Sequence, residues 1–141
     1  MTPGNGSRLS LALVAILLAG VALAYANHFG NAFHFDDAHT IEQNSYIRSL
    51  RHVPDFWTSA ATFSTLPANR TWRPVVSTTL ALDYWLGGGL RPFFFHLDTF
   101  LWFLVELVLL FFLFRRIFDL ARDDGRNVYF AFFAAAWYVS V

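Results

Sequence analysis

The residues most able to do chemistry lie together in Phe33-His34-Phe35-Asp36-Asp37-Ala38-His39, where two adjacent carboxylates stand between two imidazoles. Neighbouring negative charges repel unless a proton or a cation intervenes, so such a pair is costly to crowd without a use. One carboxylate could serve as a general base that takes a proton from an acceptor, while the other orients that acceptor or binds a cation. A solvated turn in which an Asp caps a helix explains the dipeptide equally well. His34 and His39 with Asp36 and Asp37 can also be drawn as a divalent-metal site, although their spacing matches no specific zinc motif.

A second constellation is Asn69-Arg70-Thr71-Trp72-Arg73-Pro74, in which two guanidinium groups flank an indole where a helix is expected to start. Arginine binds phosphate oxygens as a fork of donors, and a helix N-terminus adds backbone N–H groups and a favourable dipole. An anionic, lipid-linked substrate is the functional reading. Ion pairs from Arg70 or Arg73 to Asp36, Asp37 or lipid headgroups are the structural one. Further along, Asp98 can point toward the same cleft, and Glu106, mid-way along an apolar stretch, needs a partner, which this reading puts on a helix outside the chain. His28 reads as an interfacial histidine.

The elements that must position these groups follow from composition. The 141 residues carry ten Arg, no Lys, ten acidic residues and no Cys, and 56% are apolar and 19% aromatic. Zero net charge excludes the basic footprint of a nucleic-acid binder, the lack of Cys excludes a disulfide-stapled domain, and the apolar content excludes a disordered chain. Residues 9–26 hold no charge and reach ~27 Å as a helix, close to the thickness of a bilayer core. Residues 93–114 suit a second crossing, and residues 128–141 the start of a third, cut short at the chain end.

Arginines flank these spans on one side: Arg8 before the first, and Arg115, Arg116, Arg122 and Arg126 between the second and third. By the positive-inside rule, residues 1–8 and 115–127 are cytoplasmic and residues 27–92 external. Arg8, the apolar run and Ala24-Tyr25-Ala26 also fit a cleavable signal peptide, which would leave 27–92 external as well. The external loop is too aromatic for a linker. Ile47, Leu50, Val53 and Phe56 recur every three residues, giving a short amphipathic helix that Pro54 should bend or divide, expected on the bilayer surface. A second loop helix is expected over 74–86, with Pro74 in its first turn and Gly87-Gly88-Gly89 ending it. The fold class is therefore all-α integral membrane.

The order of features is specific as a set: a first span, Phe33 to Asp37 as F-x-F-D-D, Ile41 and Asn44, Trp72 to Val75 as W-R-P-V, then L-D-Y-W-L-G-G-G-L-R-P-F-F-F-H from Leu82 to His96 into the next span. Over residues 9–114 it resembles the N-terminal membrane part of the TPR-containing transmembrane O-mannosyltransferase family, in the glycosyltransferase C superfamily. The resemblance implies a GT-C-like N-terminal fragment of a multi-span inverting enzyme, inactive alone. Such an enzyme passes a sugar, as mannose, from a polyprenyl-phosphate donor to a protein hydroxyl or glycan acceptor. It also implies that Asp36 or Asp37 is the catalytic carboxylate and that Arg73 holds the donor phosphate; Arg70, His96 and Asp98 are the further substrate-binding candidates. Thr99 departs from the pattern, which has Asn three residues after the His. No cofactor is required, a divalent cation is left open, and the expected surroundings are membrane lipids in a bacterial inner membrane or its equivalent. The alternatives are a non-catalytic membrane assembly subunit, with Asp36, Asp37 and Glu106 paired to Arg on partner helices, and a transporter fragment.

Because the chain lacks Cys, topology is testable with single cysteines. A membrane-impermeant thiol reagent applied to intact cells should label a cysteine in the 27–92 segment, as at position 64, and spare one at position 123. The reverse pattern overturns the orientation.

Overall fold

The structure, a computed structural model, describes residues 3–140, with side chains for 6–139. The described residues are all-helical, with no strand. The helices are α1 (Pro3–Ala24), α2 (Val53–Thr58), α3 (Pro74–Gly87), α4 (Pro92–Ala121) and α5 (Asn127–Ser140), with short tight turns between α1 and α3. Two compact units result: Met1–Ala26 with Leu101–Val141, and Asn27–Phe100.

In the first unit, Ser10, Val14, Leu17 and Val21 form a buried stripe on α1 at helical spacing. α5 packs against α1. Ala131 and Ala135 are fully buried on α5, where small side chains let a neighbouring backbone come close. The outward residues are equally apolar, among them Leu11, Ile16, Leu109, Phe133 and Trp137, the pattern of helices surrounded by lipid. Two helical stretches, Gly6–Gly30 and Pro92–Ala121, are long and apolar enough to cross a membrane.

α4 does not stop at Phe114 but continues through Arg115 and Arg116 to Ala121. No Gly or Pro interrupts it before Gly125, and the Arg115–Asp119 pair, 3.7 Å apart one turn on, supports the extension. Arg115 also donates to the Ser10 hydroxyl, which ties the start of α1 to the end of α4. The connection to α5 is only residues 122–126. There the Asp124 carboxylate accepts from the Arg126 side chain and backbone N–H, which holds it well below the usual range, at about 2. Glu106 finds its partner within the chain, since the Tyr138 hydroxyl of α5 donates to it at 2.7 Å. No outside helix is needed, and one of the three groups behind the assembly-subunit alternative is thereby occupied.

The second unit corrects the expectation for residues 47–56. Instead of one surface helix there are turns at Tyr46–Arg48 and Leu50–His52 followed by α2. The break falls at Ser49, which is extended and whose hydroxyl accepts the Arg51 N–H at 3.3 Å. Pro54 lies in the first turn of α2, where its missing N–H has no partner to lose. The apolar residues face protein: Ile47 and Phe56 are buried with Ile41, Ala81 and Phe95, and Leu50 and Val53 pack against them. The Trp72 indole donates to the Trp57 carbonyl at 3.1 Å, joining the end of α2 to the approach to α3. α3 begins at Pro74 and ends where Gly88 turns left-handed at φ 63°, a conformation only glycine adopts freely. Gly87 is also tightly packed, because a Cβ there would lie 3.0 Å from the Phe94 ring, which would have to shift by a few tenths of an ångström. Ser64 is buried, so the labelling cysteine belongs at the exposed Leu66.

α3 buries one carboxylate, Asp83, whose Oδ2 has no hydrogen-bond partner. Burial, and then the charge of Asp98, push it up to about 7 from 3.8. Below pH 3.8 folded and unfolded chains both hold this proton and folding carries no charge penalty. Between 3.8 and about 7 the unfolded chain releases it while the folded chain retains it, so stability falls as pH rises through that window. Asp83→Asn should therefore raise the melting temperature of the detergent-solubilised protein at pH 8 and flatten its dependence between pH 4 and 7. An unchanged pH dependence would show that the carboxylate is not the buried group.

Candidate functional site

The site is built on the turn after Phe35. This residue is left-handed, at φ 48°, and its ring is 97% exposed, a strained arrangement for a bulky side chain that must be held by its surroundings. Residues Ala38–Glu42 then form one wide turn, closed by Gln43 N–H donating to the Ala38 carbonyl at 2.9 Å. Thr40 Oγ1 donates to the Asp36 carbonyl at 2.8 Å, fixing the start of the turn.

Residues 62–66 are held against this turn by two buried polar side chains. Asn44 Nδ2 shares its two hydrogens among the carbonyls of Thr40, Thr62 and Phe63, at 3.1, 3.0 and 3.2 Å, and its oxygen accepts the Tyr46 N–H at 3.0 Å. His39 uses every polar atom: its carbonyl accepts from Thr65 N–H at 3.1 Å, Nδ1 meets Ser64 Oγ at 3.0 Å, and Nε2 meets Asn69 Nδ2 at 3.1 Å and Asp36 Oδ1 at 3.3 Å.

The two carboxylates diverge. Asp36, with an 85% exposed side chain, lines an open pocket of about 350 Å³ together with His39, Thr40, Asn69, Thr71 and Arg73. Asp37 turns the other way: its Oδ2 accepts the His34 N–H at 2.9 Å, and it lines a smaller, about 190 Å³ cavity with His96, Thr99 and apolar side chains. Phe63 and Thr40 border both spaces.

Arg73, the residue before α3, holds its guanidinium 5.0 Å above the Phe63 ring. The ion pairs among the described residues do not include it, so it is not spent on either carboxylate of the motif. Arg70 is placed differently: its Nε donates to the Ser64 carbonyl at 3.4 Å, and it does not line the pocket. His96 Nε2 meets the Asn31 carbonyl at 3.1 Å, with its ring 4.7 Å from that of His28. Asp98 is felt at Asp83 rather than in the pocket. Asp36 and Arg73 are thus brought together, Asp37 and His96 share the adjoining cavity, and Arg70 and Asp98 lie outside both. Among the described residues no three His, Asp or Glu side chains converge, so His34, His39, Asp36 and Asp37 are not gathered as one ligand set.

By residue type His39 stands out only as a possible metal ligand, and Asn69 not at all. The i, i+3 spacing of Asp36 and His39 within one turn was available as a signal. The contacts to Ser64 and Asn69, 25 and 30 residues away, were not. Asn44→Ala should destabilise the folded protein by about 1–3 kcal/mol, because the carbonyls of Thr62 and Phe63 lose their buried donor. A melting temperature equal to that of the unsubstituted protein would show that the clamp contributes nothing.

Comparison with known proteins gives three partial similarities. Protein O-mannosyl-transferase TMTC4 of Mus musculus is 31% identical over 77 residues, covering 52% of this chain and 10% of the relative. TMTC4 of Homo sapiens is 28% identical over 85 residues, covering 57% of this chain and 12% of the relative. Protein O-mannosyl-transferase Tmtc2 of Drosophila melanogaster is 34% identical over 80 residues, covering 52% and 8%. No family model matches the chain, and no solved structure does. The similarity therefore reaches about half of this chain, and that portion spans between 8% and 12% of the relatives' own length.

Proposed function

We propose that the chain is part of a membrane glycosyltransferase that moves a sugar, as mannose, from a polyprenyl-phosphate donor to an acceptor hydroxyl, with its site in the pocket of Asp36 and Arg73. The observation that carries this reading is the placement of an exposed carboxylate and an uncommitted guanidinium on the walls of one open pocket. The names of the three relatives support the reaction class.

In this reading Asp36 is the base and Asp37 is not. Asp37 is occupied by the His34 N–H and faces the smaller cavity, whereas Asp36 presents its carboxylate to the pocket. As the acceptor oxygen attacks the anomeric carbon, its proton passes to Asp36, the bond to the lipid phosphate breaks with inversion, and the charge left on phosphate develops beside Arg73. Arg73 offers a planar fork to those oxygens, and the first turn of α3 adds unpaired N–H groups near the same position. Residues 27–92 face the external side and the arginine-flanked ends the cytoplasm.

Variants of the full-length protein test the assignment. Asp36→Asn should lower transfer by ~10² to 10⁴, the usual worth of a general base, and Asp37→Asn by much less. Arg73→Lys keeps the charge but not the fork, so it should weaken apparent donor affinity and leave acceptor affinity nearly unchanged. Asp36→Asn with a normal rate removes the base, and an unaltered donor titration for Arg73→Lys removes Arg73 from the donor site.

A further inference from the structure

We propose that His39 is the positioning residue for Asp36: it holds this carboxylate toward the pocket both before and after the carboxylate takes a proton. The inference rests on the reading of Asp36 as the base. His39 and Ser64 are both more than nine-tenths buried, while the Asp36 side chain is 85% exposed. An exposed carboxylate on a turn samples several rotamers unless something fixes it, and among the described residues the side-chain hydrogen-bond partner of the Asp36 carboxylate is His39 Nε2, at 3.3 Å.

The imidazole suits both charge states of its neighbour because each of its nitrogens faces a group that can either donate or accept. With the proton on Nε2, His39 donates to the Asp36 carboxylate, Nδ1 accepts the Ser64 hydroxyl, 3.0 Å away, and the Asn69 amide turns its oxygen, rather than its NH2, toward the ring. In the other tautomer Nδ1–H donates to Ser64 Oγ, and the Ser64 hydroxyl turns to the Leu66 carbonyl, 3.2 Å away. Nε2 then presents a lone pair that can receive the Asn69 amide, at 3.1 Å, or the hydroxyl of a protonated Asp36. No covalent bond between heavy atoms is made, and the His39–Ser64 pair carries the same number of protons in both tautomers, exchanging one with solvent as it passes between them. The Ser64 hydroxyl is buried and does not line the pocket, so the Ser64–His39–Asp36 row is a support for the carboxylate and not a serine nucleophile with its base.

Two substitutions separate the two ends of the ring. His39→Asn places an amide near Nδ1 and keeps a partner for Ser64 but none for Asp36. His39→Gln reaches the position of Nε2 and keeps a donor for Asp36. In the full-length protein, His39→Asn should lower kcat about tenfold with little change in donor KM, and His39→Gln should recover most of it. In an Asp36→Asn background His39→Asn should cost nothing more, because a residue acting through Asp36 has nothing left to position. The inference is overturned if both variants keep the full kcat, if both lose activity only in step with their melting temperatures, or if His39→Asn costs the same factor in both backgrounds. A normal rate for Asp36→Asn alone would instead defeat the underlying base assignment, and the two failures are read from different variants.

Discussion

The 27–100 unit depends on burying the polar backbone of residues 62–66 without leaving it unsatisfied. That segment has no regular secondary structure beyond the short turn before it, so its carbonyls cannot pair along a ladder. Asn44 and His39 supply the partners, one through a side-chain amide shared among carbonyls and the other through its ring and its own carbonyl. A buried carbonyl or N–H without a partner costs about as much as several well-packed methyl groups contribute. The two side chains therefore decide whether this segment closes over the wide turn at Ala38–Glu42 or stays open. That closure sets His39, Phe63 and Asn69 on the wall of the larger pocket and brings the Phe63 ring under Arg73.

The closure also gives adjacent residues different tasks. Asp36 and Asp37 are chemically identical, yet one is tied to a backbone N–H beside a mostly apolar cavity and the other is left to a buried imidazole at an open pocket. Phe63 separates the spaces and also carries the Arg73 guanidinium on its face. A guanidinium stacked on a ring keeps its in-plane donors free, which an ion pair with Asp36 would have consumed. Phe35 pays for the turn geometry with a left-handed backbone and a fully exposed ring.

Asp83 shows a cost accepted elsewhere in the same unit. Its position on α3, two residues after the buried Ala81, puts a carboxylate where the helix packs, and its Oδ2 finds no donor. A group of this kind is most compatible with the fold when neutral, and the nearby charge of Asp98 strengthens that preference. In the other unit the polar groups are better served: Glu106 meets Tyr138, Asp119 meets Arg115 and Asn127, and Ser10 meets Arg115.

Local sequence determined where α1, α3 and α4 form and where α3 begins and ends. Apolar length defines α1 and α4, Pro74 and Gly88 bound α3, and the two clusters around Asp36 and Arg73 stand out by residue type alone. These features are legible because they depend on spacing within a few residues: rise per residue, the φ of proline and glycine, and adjacent like charges. Tertiary structure decided the rest. The apolar stripe of Ile47, Leu50, Val53 and Phe56 fits a bilayer surface and a protein core equally well by periodicity, and only packing with Ala81 and Phe95 assigns it to the core. Locally, only the three-residue spacings of His34 to Asp37 and of Asp36 to His39 hint at a difference between the carboxylates, and nothing local distinguishes Arg73 from Arg70 or shows that His39 is buried. His39 is set apart by partners 25 and 30 residues away, Ser64 and Asn69, and the two carboxylates by which of the two spaces bordered by Phe63 each one lines. Hydrogen bonds that close across such distances form only when the chain has folded, so no pattern of neighbouring residues encodes them.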